Sequence, residues 1–137
     1  MPDTTDQYRI TVGFDGSEGA RRAVEWAVTE AGCRGAHLRL VQAWTAGEFG
    51  TDHDIAAFTT KNLEEEAAAI RESHPDIDVS YVAVDGHAGR VLIESGQDSD
   101  MLVVGTRGHG GFTGLLLGSV GHQVTTHPGA PVVVVVR

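Results

Sequence analysis

The chain has a single cysteine, Cys33, so it can form no internal disulfide and offers no C-x-x-C pair for redox chemistry or zinc. A packing role near the end of the first helix is the expectation for it. Long apolar runs are missing as well. None reaches the ~18–20 residues needed to cross a bilayer, and the opening MPDTTDQYRI has no apolar signal core. Cytoplasmic residence with no membrane association is expected. Positive charge is scarce: 10 Lys and Arg stand against 19 Asp and Glu, a formal net charge of -9. Such a surface repels nucleic acid and anionic lipid, which excludes a broad nucleic-acid-binding face. It does not exclude a small phosphate ligand, because a few local backbone N–H groups outweigh a distant negative field. Two phosphate fingerprints are also lacking: there is no Gly-Lys-Ser/Thr of a P-loop, and no G-x-G-x-x-G follows the first strand. Among the 7 histidines, His109, His122 and His127 have neither HExxH spacing nor a cysteine partner. Solvated or capping roles are therefore expected for them, and no metal site.

What is present is an ordinary globular composition, 41% hydrophobic and 21% charged over 137 residues, enough for one domain with a core of its own. Residues 1–7 read as a polar, flexible arm and 8–137 as the domain. Residues 9–14 read as a strand broken by Asp15-Gly16-Ser17. Ala20, Ala23, Val24, Ala27, Val28 and Ala31 then recur at helical spacing, with Ser17 as N-cap and Gly32 as C-terminal stop. Further strands are expected at 38–44, 78–84, 101–104 and 132–136. Between them lie a loop over 45–54, a helix ending before Pro75, a short helix over 88–95 and a helix over 119–127. In the second helix Ile55, Leu63, Ala67 and Ile70 form the apolar stripe, and Glu64, Glu65 and Glu66 its solvated face. This alternation predicts an α/β fold, an open five-stranded parallel sheet with helices on both faces, Rossmann-like in class. Ligands in such sheets bind beyond the carboxyl ends of the strands, where strand order reverses.

One segment stands out. VVGTRGHGGFTGLLLGSVGHQV joins a buried strand to a helix and carries Gly105, Gly108, Gly110, Gly111, Gly114, Gly118 and Gly121. Glycines let the backbone approach a ligand and turn successive N–H groups into an anion-binding nest. Gly118-Ser119 falls where the helix begins, with unpaired N–H groups and the positive end of the dipole directed outward. A flexible surface loop is the competing reading of the same glycines.

The opening ITVGFDGSEGARRAVEWA, the segment DMLVVGTRGHGG, the spacing of Gly105 and Gly108 from Gly118-Ser119, and the closing HPGAPVVVVVR resemble a universal stress protein domain over about residues 8–137. The spacing is similar to the signature of the ATP-binding branch of that family. The resemblance implies an adenine nucleotide alpha hydrolase-like fold and ATP, with Mg²⁺, as ligand. By the same resemblance Gly13 and Asp15 lie at the nucleotide, Asp15 near the ribose and the phosphate-bound metal, and the backbone at Ala43 meets the adenine edge. Gly105, Thr106, Arg107 and Gly108 belong to the loop, Gly118 and Ser119 contact the phosphates, and Val120 follows them. Read without the resemblance, Asp15 is a turn residue of Asp-Gly-Ser and Arg107 a solvated cation. Gly121 departs from the family's frequent second serine and removes a hydroxyl near the phosphates.

The resemblance further implies a homodimer through the last strand, an apolar edge that needs covering. Three functional readings follow. The chain is an ATP-dependent stress or signalling module, a slow ATPase, or a nucleotide-free interaction domain of the same fold. The complete glycine set favours the first. For phosphoryl transfer, only Asp15 and Arg107 stand near the site, with no paired base or lysine.

Overall fold

The computed structural model describes residues 7–45, 52–105 and 131–136. The expected helix over 119–127 and most of the glycine loop lie outside the described residues. In chain order the elements are β1 (Arg9–Gly13), α1 (Glu18–Arg34), β2 (His37–Trp44), α2 (Asp52–Ser73), β3 (Asp78–Asp85), α3 (Ala88–Gly96), β4 (Met101–Gly105) and β5 (Val132–Val136). The five strands form one sheet in the order β3-β2-β1-β4-β5, and every neighbouring pair is parallel. The expected five-stranded parallel sheet is present. α2 begins at Asp52, inside the stretch expected to be loop.

Side chains alternate across each strand, so one face carries Ile10, Val12, Leu38, Leu40, Met101 and Val103. These meet Ala23, Val24, Ala27 and Val28 of α1 and Leu63, Ala67 and Ile70 of α2. The opposite face presents Leu102 and Val104, which pack on Leu92 and Ile93 of α3 with Val133 and Val135 of β5. Helices thus cover both faces, with α1 and α2 on one and α3 on the other. The strands of the sheet centre are apolar on both sides because both sides are covered. β4 is buried along its whole length.

The α3 face has one polar island, at the amino-terminal end of the strands. Thr11, in the central strand, is fully buried. Its hydroxyl meets the Ser99 hydroxyl and accepts from Arg39 Nη2 at 3.2 Å. Arg39 also grips both carboxylate oxygens of Asp98, at 2.7 and 3.2 Å, and donates to the Ser95 carbonyl. The Arg39 hydrogen bonds hold the Asp98 carboxyl below its ordinary value, against a smaller opposing effect of burial. The cluster ties the carboxyl end of α3 to β1 and β2, and so fixes how α3 lies on the sheet.

α1 begins as the sequence indicates and ends elsewhere. Ser17 is the N-cap, its hydroxyl accepting from the Ala20 N–H at 3.1 Å. Gly32 is not the stop. The helix runs on to Arg34 and ends at Gly35, which adopts the left-handed conformation at φ 64° and ψ 36°. The N–H groups of Gly35 and Ala36 both return to the Ala31 carbonyl. Arg34 secures the last turn through Glu30 at 2.7 Å and lies 4.6 Å from the centre of the Tyr8 ring. Cys33 is exposed, off the buried stripe of α1, so the packing role expected for it is not met.

The two glycines respond in opposite directions to the same change. A methyl at Gly32 would find Ile77 no nearer than 4.0 Å, so Gly32→Ala should stabilise the fold by roughly 0.5–1 kcal/mol through helix propensity. A methyl at Gly35 meets nothing within 4 Å but forces an L-residue into the left-handed region, so Gly35→Ala should cost about 1–2 kcal/mol. Urea midpoints that move the two variants the same way would contradict this placement of the helix end.

Candidate functional site: the switch point between β1 and β4

Strand order reverses at the β1/β4 pair. From β1 the chain proceeds through β2 to β3 on one side of the sheet, and then crosses to β4 and β5 on the other. The carboxyl ends of β1 and β4 therefore flank a crevice with connections leaving it in opposite directions. Three structural features shape it.

The first is the turn after β1. Phe14 makes a last bond to the sheet, its N–H donating to the Val41 carbonyl at 2.8 Å. The chain then turns through Asp15 and Gly16, the latter at φ 80°. The Asp15 carboxylate accepts from the Ser17 N–H at 2.9 Å, and Ser17 in turn caps α1. Asp15 thus has the turn role read from Asp-Gly-Ser, and the turn delivers the amino end of α1 to the crevice.

The second is the length of β2. β1 pairs with β2 as far as Gly13↔Val41, whereas β2 continues to Trp44 beside β3. In a parallel ladder, alternate residues direct both backbone groups to the same side. The Val41 carbonyl accepts from β1, and the Trp44 carbonyl accepts from Gly86 at 2.8 Å on the β3 side. The N–H and C=O of Ala43 are therefore directed to the β1 side, one step beyond the point where β1 has left the sheet. A planar ligand edge with one donor and one acceptor matches that pair.

The third is a close approach of two backbones. A Cβ built on Gly105, the last residue of β4, would lie 2.6 Å from the Gly19 carbonyl oxygen and 2.7 Å from the Gly19 carbonyl carbon. Only glycine lets the first turn of α1 rest against the end of β4. Gly13 is constrained in its own way, since its Cβ would meet Leu92 at 3.0 and 3.3 Å and Val104 at 3.5 Å. Its missing side chain makes room for α3.

The structure thus brings Gly13, Asp15, Ala43 and Gly105 together at the carboxyl ends of β1, β2 and β4. Thr106, Arg107, Gly108, Gly118, Ser119 and Val120 lie outside the described residues. Gly19 was missed in the sequence. Its signal was the Ser-Glu-Gly that opens α1, where a glycine in the first helical turn has no propensity reason to be. Beside the turn lies a recess of about 290 Å³ lined by Phe14, Gly16, Arg21, Asn62, Glu65 and Glu66. Two carboxylates there, Glu65 and Glu66, stand against the one guanidinium of Arg21, which makes the recess a poor seat for phosphate. Among the described residues no group of three or more His, Cys, Asp and Glu could hold a metal ion, and no helix is long and apolar enough to cross a membrane.

An open, doubly wound α/β domain with a crevice at its switch point defines a broad class of ligand-binding proteins. The profile of the Universal stress protein family matches residues 8–136, and the chain belongs to that family. Universal stress protein Rv2005c of Mycobacterium tuberculosis is 36% identical over 130 residues, covering 91% of this chain and 44% of that protein. The chain thus spans less than half the length of this relative. A universal stress protein solved in complex with cAMP superposes with a TM-score of 0.70 at 25% identity, over 95% of this chain and 97% of that one. The universal stress protein from Archaeoglobus fulgidus in complex with dAMP has a TM-score of 0.67 at 21% identity, over 95% and 98% of the two chains.

The close approach at Gly105 has a direct test. Gly105→Ala should push α1 off β4 and destabilise the fold by about 1–3 kcal/mol, as overpacking of a fixed backbone does. Chemical denaturation would measure it, and a variant as stable as the parent would show that α1 does not rest on β4 as described.

Proposed function

We propose that the chain binds an adenine nucleotide, ATP with Mg²⁺, in the crevice between β1 and β4, and acts as a nucleotide-dependent stress or signalling module. The observation that carries this reading is the main chain of Ala43. Its N–H and C=O face the gap left by the end of β1, the pattern that an adenine edge complements with its ring nitrogen and amino group. Relatives of the same fold solved with cAMP and dAMP support an adenine ligand. The ribose and phosphates then extend past Asp15 toward Gly105 and the glycine segment. Thr106, Arg107, Gly108, Gly118, Ser119 and Val120 are the residues of that segment that take part. Gly13 serves the same site by admitting α3 beneath it. For Mg²⁺ the fitting ligands are the phosphate oxygens and water, with Asp15 as the nearby carboxylate, since Mg²⁺ usually keeps several waters and one or two carboxylates. Asp15 already accepts from the Ser17 amide. Its part in this reading is to position the nucleotide, and rapid turnover is no part of the proposal.

Ligand occupancy stabilises a protein by mass action, roughly 2.7 kcal/mol at a hundredfold excess over Kd, so bound nucleotide can select one conformation or interface. Heating the purified chain and chromatographing the released small molecules should yield an adenine nucleotide, and added ATP with Mg²⁺ should raise the melting temperature. Gly118→Val should abolish both effects. No released nucleotide together with an unshifted melting curve would instead favour the nucleotide-free reading.

The module is proposed to act as a homodimer in the cytoplasm, paired through β5. In the described sheet β5 is an edge strand, and Val132 is 58% exposed. The Val132 N–H donates to the Asp100 carbonyl, on the β4 side, so Val133 and Val135 direct their backbone groups to the outer edge. Val133→Pro therefore removes an outward N–H while sparing the β4–β5 ladder. Sedimentation should show a monomer for this variant and a dimer for the parent; a parent that sediments as a monomer would end the dimer proposal.

A further inference from the structure

At the end of the sheet opposite the crevice, three side chains form a linear relay on the α3 face. His37, the first residue of β2, holds the Asp78 carboxylate through Nδ1 at 2.8 Å and the Ser80 hydroxyl through Nε2 at 2.7 Å. The arrangement follows from register. His37 pairs with Asp78 across the β2–β3 ladder, and Ser80 is two residues on, hence on the same face. With the carboxylate on Nδ1, that nitrogen carries the proton, and Nε2 is left as the acceptor of the Ser80 hydroxyl proton. This order of carboxylate, imidazole and hydroxyl is the one that activates a serine for acyl transfer, and it is recognised by geometry rather than by sequence position. The His37 side chain is 21% exposed and that of Asp78 66%, so small molecules reach the relay from solvent. Arg39 is the register partner of Ser80, and its Nε is buried with no hydrogen-bond partner. The Arg39 guanidinium itself is turned to Thr11, Ser99 and Asp98, on the β1 side of the strand.

We propose that Ser80 is a nucleophile, activated by His37 and oriented through Asp78, that accepts the acyl group of small activated esters. In the first step Ser80 Oγ bonds to the carbonyl carbon as its proton passes to His37 Nε2, and the carbonyl oxygen becomes an oxyanion. Collapse breaks the ester bond, the leaving oxygen takes the proton from His37 Nε2 and departs as the alcohol or phenol, and the acyl group remains on Ser80. In the second step a water gives its proton to Nε2 and its oxygen to the acyl carbon. Ser80 departs and recovers a proton from the imidazole, and the product is the free carboxylic acid. The Ser80 N–H is directed to β2 within the ladder, so it does not serve as an oxyanion donor. Acylation is therefore expected to be slow and site-selective. The relay lies at the amino-terminal ends of the strands, and its proposed chemistry is independent of nucleotide binding at the other end.

A fluorophosphonate reports the nucleophile directly, since Ser80 Oγ displaces fluoride at phosphorus and the adduct is stable. Peptide mass spectrometry of the full chain should place one label on Ser80. 4-Nitrophenyl acetate should release a burst of nitrophenolate equal to the protein concentration. Ser80→Ala should abolish both, and His37→Gln should slow labelling about a hundredfold, the ordinary contribution of a general base. Should His37→Gln fail to fold, Asp78→Asn, a change at an exposed side chain, must slow labelling with an unchanged melting temperature. A plain cross-strand pin predicts otherwise: no label on Ser80, or a label whose rate is indifferent to His37→Gln and to Asp78→Asn. Either result overturns the proposal.

Discussion

The rest of the site depends on a contact between two backbones, the first turn of α1 against the last residue of β4. Neither Gly19 nor Gly105 has a side chain to hold the other at a distance, and an added Cβ would lie 2.6 Å from a carbonyl oxygen. A helix that packs through side chains keeps its axis some 8–10 Å from its neighbour, and a glycine contact removes that spacer. The consequence is positional. α1 is connected to β1 by the turn Asp15-Gly16-Ser17, and that turn is fixed at both ends, by the Asp15 carboxylate on the Ser17 N–H and by the Ser17 hydroxyl on the Ala20 N–H. Pressing α1 onto β4 therefore sets where Asp15 stands relative to Gly105, across the point where strand order reverses.

The crevice exists because strands of unequal reach lie side by side. β1 leaves the sheet after Phe14, while β2 runs on to Trp44 in register with β3. Residues beyond the end of a neighbour keep their alternation but lose their partner on one side. For Ala43 the lost side is the crevice. An orphaned backbone pair costs free energy when buried without a partner, and a ligand edge can supply one. At the other end the strands start level, Arg9, His37 and Asp78 being register partners. There β2 begins at His37 opposite Asp78, and side chains rather than main chain meet at the surface.

Much of this was legible in the sequence. The five strands, the apolar stripe of α1 from Ala20 to Ala31, the Ser17 cap and the covering of both sheet faces follow from periodicity and local turn chemistry, which act over a few residues. The misplaced helix end shows the limit. Gly32 and Gly35 are both glycines near the end of the stripe, and only the hydrogen bonds of Gly35 and Ala36 to Ala31 distinguish an interior glycine from a left-handed cap. Gly13 and Gly105 were picked out as ligand glycines, yet each has a packing reason to lack a side chain, Leu92 for one and Gly19 for the other. Such reasons come from elements distant in sequence. The relay of His37, Asp78 and Ser80 was illegible for the same cause, since its first two members are 41 residues apart and meet only through strand register.

Charge gives the two ends of the sheet different prospects. With a formal net charge of -9, an anion approaches this chain against the overall field, so its site must rest on groups whose effect is local. Backbone dipoles meet that condition, because they act within the last turn of a helix or the length of a loop and are little screened where water is excluded. In the proposed site the carboxylates of Glu65 and Glu66 around the neighbouring recess would disfavour phosphate on the α2 side. At the amino-terminal end the cations Arg9 and Arg39 share the Asp98 carboxylate, at 3.3 and 2.7 Å, and Asp100 accepts from the Arg9 N–H at 2.9 Å. A neutral ester meets no charge repulsion there. The sheet thus presents the main chain of Ala43 at one end and a side-chain relay at the other.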